Sequence, residues 1–234
     1  MRIGSNAGST TEPRMRVAIT GGTSGLGRAL VQAWQARGAR VAFIARTAAT
    51  VREVAARLPN VTGIVGDVSR KDDIYPIATE ILGALGGLDV LVNNASSLGP
   101  VPLAPLADTA CEDLEQALAT NLVGPFRLTK ALLGALAASA RAGRGAVVVN
   151  VISDAAATPY PGWGAYGASK AALSQMSRIW DAEITGQGIR VLAIDPGDMD
   201  TPLHALAVPD ADLALLLAPE VAAARIVDLI DGAL

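Results

Sequence analysis

Short apolar runs alternate with longer stretches of helical periodicity along the chain. Arg16 to Thr20, Arg40 to Ala45, Val61 to Gly66, Leu88 to Asn93, Gly145 to Ile152 and Ile189 to Ile194 read as six strands. They are continuously apolar rather than alternating, which is the pattern of strands covered on both faces. Between and after them the spacing predicts helices at about Ser24 to Arg37, a second ending at Arg57, about Asp72 to Leu85, about Thr109 to Arg141, about Trp163 to Thr185, and Pro219 to Asp231. Thr109 and Glu112 have the spacing of a capping box, which predicts where the fourth helix starts. This alternation predicts an α/β fold with a doubly wound parallel sheet of about six strands and helices on both faces. Residues 15–234 read as one domain, and the polar, Gly/Ser/Thr-rich residues 1–14 as a disordered tail.

Composition narrows the function classes. Hydrophobic residues make up 51% of the 234 residues and aromatics only 3%, so Ala, Val and Leu must fill the core. A net charge of −3 and a pI near 5.2 argue against an electrostatic nucleic-acid binder. Mean hydropathy is +0.38, yet no apolar stretch reaches the roughly 18 residues a spanning helix needs. The most apolar candidate, Leu203 to Ala224, is broken by Pro209, Asp210, Asp212 and Glu220. Residues 1–14 hold no apolar signal-peptide core, so no membrane partner and a cytoplasmic location are expected. The lone Cys111 cannot form an internal disulfide, and its place in an apparent helix predicts a buried thiol. His204 is the only histidine and there is no Cys/His cluster, so no metal site is expected.

The first strand runs into Thr20-Gly21-Gly22-Thr23-Ser24-Gly25-Leu26-Gly27 and then a helix. Glycines there let the backbone approach a pyrophosphate, and the helix N-terminus offers free N–H groups and a positive dipole end. A glycine cluster alone also suits a tight turn; its place between the first strand and first helix favours phosphate binding. The spacing resembles the TGxxxGxG motif of the short-chain dehydrogenase/reductase family, classical type. Asn93-Asn94-Ala95 resembles that family's NNAG, with Ser96 where the family has glycine. Asn121, Ser153, Tyr166 and Lys170 are similar in order and spacing to its catalytic tetrad. Asp195-Pro196-Gly197 and Thr201 resemble its PGxxxT segment. The resemblance covers roughly residues 15 to 232 and implies a Rossmann-like fold, a nicotinamide cofactor and a carbonyl or alcohol substrate.

On that resemblance the cofactor would be held by Gly21, Thr23, Ser24, Gly25, Leu26, Gly27, Arg46, Thr47, Asp67, Val68, Asn93, Ala95, Tyr166, Lys170, Pro196, Gly197, Met199 and Thr201. An acidic residue about 20 positions beyond the glycine loop would select NAD(H). Here Ala45 stands at that place and Arg46 follows. A guanidinium can pair with a 2′-phosphate, so NADP(H) is preferred over NAD(H), although Arg46 also reads as a solvated surface charge. Asp67 could equally cap the next turn.

Tyr166 and Lys170 are four apart on a helix and share a face. A nearby ammonium is expected to lower the phenol's pKa, so that Tyr166 can exchange a proton with the substrate oxygen as hydride moves. The resemblance also has Lys170 holding the nicotinamide ribose. Ser153, at a strand's carboxyl end, can hydrogen-bond the reacting oxygen. Asn121 lies four residues before Pro125, which has no N–H to give, so its carbonyl is expected to be freed for an ordered water; in the family the matching Asn holds a relay water.

The resemblance lines the substrate pocket with residues near Ser97, Ala155, Trp163, Met199 and Leu203, to which Asp154, Asp198 and His204 could add polarity. Trp163 also reads as core packing, and His204 as a surface residue. The family's seventh strand has no counterpart here, so the sixth strand would be an apolar edge, covered by further chain, a loop or a subunit. The resemblance implies a homodimer or larger homo-oligomer through the two long helices. The leading reading is an NADP-dependent carbonyl reductase or alcohol dehydrogenase. A cofactor-binding sensor or scaffold without turnover is the alternative. An epimerase or dehydratase on the same scaffold would usually need further substrate-handling segments.

Overall fold

The computed structural model describes residues 14–234. Of the expected tail, all but Arg14 lies outside the described residues. Six strands, β1 (Arg16–Thr20), β2 (Arg40–Ala45), β3 (Val61–Val65), β4 (Val90–Asn93), β5 (Ala146–Val151) and β6 (Ile189–Ile194), form one parallel sheet in the order β3-β2-β1-β4-β5-β6. The order reverses between β1 and β4, and their carboxyl ends diverge there into a crevice.

The uninterrupted apolar runs have a direct explanation. Successive side chains point to opposite faces, and each face has its own helical cover. Val17, Ile19, Val41, Phe43, Val90, Val92, Val147 and Val149 pack with helices α1 (Gly25–Ala36), α2 (Ala48–Arg57) and the C-terminal Pro219–Asp231 segment. Ala18, Ala42, Ile44, Leu91, Val148 and Val191 face the other way, onto α3 (Ile74–Leu85) and the later helix Gly124–Arg141.

The expected single helix over 109–141 is two helices. α4 (Cys111–Leu118) and α5 (Gly124–Arg141) are joined by a π-helical turn, Ala119–Val123, in which the Gly124 N–H donates to the Ala119 carbonyl. Pro125 cannot supply an α-helical N–H, and the backbone meets that loss by widening a turn. The capping box does not form. Ala110 is the N-cap, and the Thr109 hydroxyl instead donates to the Pro105 carbonyl at 3.0 Å. Cys111 is exposed, because the first turn of α4 faces outward. The remaining helices are α6 (Gly164–Ile184), the short α7 (Pro202–Ala207) and α8 (Pro219–Asp231).

Among the described residues no strand follows β6, which is an edge. Its side chains are less open than expected: Val191 is buried, and Leu192 and Ile194 pack partly buried on the core.

The amino end of β4 is fixed by a buried charge. Asp89 has no exposed surface, accepts from Arg16 Nη2 and Arg144 Nη2 at 2.6 Å each, and accepts from the Ser139 hydroxyl at 2.5 Å. Burial opposes the carboxylate's charge, and the bonds from Arg144, Arg16 and Ser139 overcome it, holding Asp89 well below the usual carboxylate range. The stabilisation is present above the unfolded pKa near 4 and is lost as pH falls further. Asp89→Asn should cost about 3 kcal/mol in urea unfolding at neutral pH, and the gap from wild type should narrow in acid.

Candidate active site

A cleft of about 1010 Å³ opens at the carboxyl ends of the strands. It is lined by the β1–α1 loop, the ends of β2 to β6 and the segment around α7.

The β1–α1 loop is shaped for a close-approaching anion. Gly21 has φ +73°, and a Cβ on Gly27 would run into the Gly21 carbonyl oxygen, so neither position accepts a side chain. Ser24 caps α1 without a side-chain hydrogen bond, and the first turn carries no acidic residue. The leading N–H groups of α1 therefore face the cleft uncapped by any side chain. Thr20 and Asn94, which the motif reading did not single out, hold this loop against β4. The Thr20 hydroxyl oxygen accepts from the N–H groups of Asn94 and Ala95, at 2.9 and 3.0 Å, and Asn94 Nδ2 donates to the Thr20 carbonyl at 2.9 Å.

Thr23, Ser24, Gly25, Leu26, Arg46, Thr47, Asp67, Val68, Ala95, Pro196, Gly197, Met199 and Thr201 all line the cleft. Arg46 is exposed at its rim. Asp67 does cap its own turn, accepting from the Ser69 N–H at 2.9 Å and the Ser69 hydroxyl at 2.8 Å through Oδ1.

Asn93 is placed elsewhere. Its Nδ2 donates to Asn150 Oδ1 at 2.8 Å and Thr129 Oγ1 at 3.2 Å, and Asn150 Nδ2 donates to Ser177 Oγ at 2.8 Å. This buried ladder ties β4 and β5 to α5 and α6, and its side chains do not reach the cleft. Asn150 could have been suspected as the one polar residue inside the Ala146–Val151 run.

At the end of β5, Ser153, Tyr166 and Lys170 come together in the cleft. Lys170, 2% exposed, donates from Nζ to the Val151 carbonyl at 2.7 Å, and its Nζ lies 5.5 Å from the centre of the Tyr166 ring. The phenol is also nearly buried. Burial raises its pKa to about 12, while hydrogen bonds with Ser153 and Ser96 pull it down and Asp195 and Asp154 push it up. The expected lowering by an ammonium is not what governs here. Burial acts on Lys170 as well, bringing its pKa from 10.5 to about 7, so the ammonium itself is suppressed.

Asn121 is fully buried and does not line the cleft, whereas its neighbour Thr120 does. Its side chain clamps the loop after β4: Oδ1 accepts from the Ser97 N–H at 2.8 Å, and Nδ2 donates to the Ser97 carbonyl and to Ser169 Oγ, each at 2.8 Å.

Ser97, Trp163, Leu203 and His204, the residues expected around a substrate, also line the cleft. Ala155 packs behind Tyr166 instead. The Trp163 ring meets the Tyr166 ring edge-on at 5.7 Å. His204 is mostly buried and its Nε2 lies 4.0 Å from Asp198 Oδ1. A further group was not foreseen: Tyr160 donates to Asp154 Oδ2 at 2.6 Å, and the Ser153 hydroxyl donates to Asp154 Oδ1 at 2.9 Å. The bond from Tyr160 holds Asp154 below its ordinary range.

Among the described residues no group of three or more His, Cys, Asp or Glu side chains could hold a metal ion. No described helix is long and apolar enough to cross a membrane.

Comparison with known proteins gives a consistent result. A family model described as short chain dehydrogenase matches residues 15–212. An uncharacterised short-chain type dehydrogenase/reductase of Sinorhizobium fredii is 36% identical over 196 residues, which are 83% of this chain and 34% of that longer protein. The chain thus spans about a third of the length of that relative. The crystal structure of a 3-ketoacyl-(acyl-carrier-protein) reductase from Brucella melitensis, complexed with NADH, is similar with a TM-score of 0.85 at 25% identity, covering 92% of this chain and 91% of that one. A short chain dehydrogenase from Escherichia coli, complexed with NADPH, gives 0.82 at 27% identity, covering 93% and 88%.

The buried lysine supplies a test independent of any substrate. Its folded pKa lies below the unfolded one, so between about pH 7 and 10.5 the unfolded chain binds more protons and stability rises with pH. Lys170→Met should be more stable than wild type below pH 7, by at most about 5 kcal/mol, with the advantage shrinking toward pH 10. Urea unfolding of both proteins across that range measures it.

Proposed function

The chain belongs to the short-chain dehydrogenase/reductase family, and from that premise we propose that it transfers a hydride between NADP(H) and a carbonyl or alcohol substrate, with Tyr166 as general acid/base. The observation that carries this reading is the convergence of Ser153, Tyr166 and Lys170 beside the glycine loop in one cleft.

The cradle fits a dinucleotide. The uncapped N-terminus of α1 suits a pyrophosphate, and Asp67 and Val68 line the cleft where an adenine would lie. Arg46 at the rim, following Ala45, favours a 2′-phosphate. The bound nicotinamide supplies or takes the hydride. Tyr166 gives a proton to the substrate oxygen in reduction and takes it back in oxidation. The Ser153 hydroxyl, turned from Asp154, hydrogen-bonds the same oxygen. Lys170 orients the nicotinamide ribose and steadies the phenolate when charged. Asn121 anchors the loop after β4, and its main-chain carbonyl, within the π-turn, is our candidate for holding a relay water.

The same reading has a cytoplasmic enzyme acting on a small molecule, as a homodimer or larger homo-oligomer. The exposed Phe126 on α5 and Ile179 on α6 support a helical interface.

A panel of aldehydes, ketones and alcohols with both cofactors tests the activity. Tyr166→Phe should lower kcat/KM at least about 100-fold while leaving cofactor binding intact. Tight NADPH binding with no turnover across the panel would instead favour a binding-only sensor. Arg46→Ala should weaken NADPH binding about 10- to 100-fold and leave NADH unchanged. An unaltered preference removes Arg46 from 2′-phosphate recognition.

A further inference from the structure

The loop after β4 carries a side chain where the resembling motif has none. Ser96 follows Asn93-Asn94-Ala95, and its backbone is not in the left-handed region, so the position does not demand glycine. Its hydroxyl lines the cleft and donates to Asn121 Oδ1 at 3.2 Å.

That bond is the weaker of two on one acceptor. Asn121 Oδ1 is already held by the Ser97 N–H at 2.8 Å, and Nδ2 is fixed by the Ser97 carbonyl and Ser169. The amide therefore stays in place and satisfied if the Ser96 proton turns away. β4 and β5 are neighbours in the sheet, so the loop bearing Ser96 and the loop bearing Ser153 leave side by side, and both serines line the cleft with Tyr166.

We propose that Ser96 is a second hydroxyl donor to the Tyr166 phenolate, a role a glycine could not play. While Tyr166 is a neutral phenol, Ser96 donates to Asn121. When the phenol loses its proton, the Ser96 hydroxyl rotates about its Cβ–Oγ bond and donates to the phenolate. No proton leaves Ser96, and Asn121 keeps its backbone partner.

Such a donor answers a need of this site. Asp154 beyond β5 and Asp195 beyond β6 both oppose a negative charge on Tyr166, and Lys170, the nearby cation, is depressed toward neutrality. His204 of α7 lines the same cleft. Ser153 alone would divide its hydroxyl between the phenolate, the substrate oxygen and Asp154.

The inference rests on Tyr166 as general acid/base, and its test separates the two. Ionisation of Tyr166 is read by near-ultraviolet difference absorbance in the NADP⁺ complex, each protein measured against the same protein carrying Tyr166→Phe. The midpoint should rise by about one pH unit in Ser96→Ala and Ser96→Gly, and Ser96→Thr should restore it. The rising limb of alcohol oxidation, where the phenolate forms, should shift by the same amount, with KM for the cofactor unchanged. An equal midpoint with and without the hydroxyl overturns the proposal, as does the lack of any Tyr166-dependent signal before alkaline unfolding. If no alcohol is oxidised but the midpoint still moves, Ser96 keeps this role and the reading of the activity falls.

Discussion

The hydrogen bond from Lys170 to the Val151 carbonyl, made out of reach of solvent, is the constraint around which the site is built. It ties the first turns of α6 to the carboxyl end of β5. Tyr166, one helical turn earlier, is thereby set beside Ser153, two residues past Val151. The burial that fixes this geometry also works against both charges that the proposed proton transfer needs. It raises the phenol to about 12 and lowers the lysine to about 7. Each charge is cheapest in the presence of the other, so the pair favours being neutral together or charged together. Hydroxyls and carboxylates around the phenol then decide how near the balance lies.

The scaffold beneath is stiff where the chemistry requires it. β4 is held at its amino end by Asp89 between two arginines and at its carboxyl end by the Asn93–Asn150–Ser177 ladder. Polar groups buried this deeply stabilise only when every partner is present, which fixes register as well as energy. Ser96 and Ser153 leave from the ends of these two strands. Their hydroxyls inherit that precision although both lie on loops.

Much of this was legible in the sequence because the signals were local and repeated. Six apolar runs, a glycine-rich first turn and a Tyr–Lys pair at helical spacing need no tertiary context. The failures come from competition for the same hydrogen-bonding groups, some of it between near neighbours and some from partners distant in the chain. Thr109 could cap a helix but bonds back to Pro105. Pro125 was read as lying inside one long helix, whereas a π-turn, Ala119–Val123, divides that helix just before it. Asn93 stands next to the cofactor motif, yet alternation along β4 turns it to Thr129 and Asn150, while Asn94 reaches the glycine loop. The sign of the shift at Tyr166 was also misjudged, because spacing reveals a neighbouring cation but not how deeply both groups are buried.

The two halves of the cleft meet at Thr201. Its hydroxyl oxygen accepts from the His204 N–H at 3.2 Å and so caps α7, the segment carrying Leu203 and His204. Its methyl group lies against Gly25, where an added Cβ would come within 3.1 Å of it. A change in the β1–α1 loop is therefore felt at the first turn of α7, and the reverse holds as well. The contact adds to the demand for glycine that the positive φ at position 25 already makes, since an added Cβ would require the Thr201 side chain to give by a few tenths of an ångström. On the proposed reading, substrate choice would rest on α7 and the aromatic pair Tyr160 and Trp163, whereas hydride and proton transfer would rest on β4, β5 and α6. The first set can vary in shape without disturbing the second as long as Thr201 keeps its seat on Gly25.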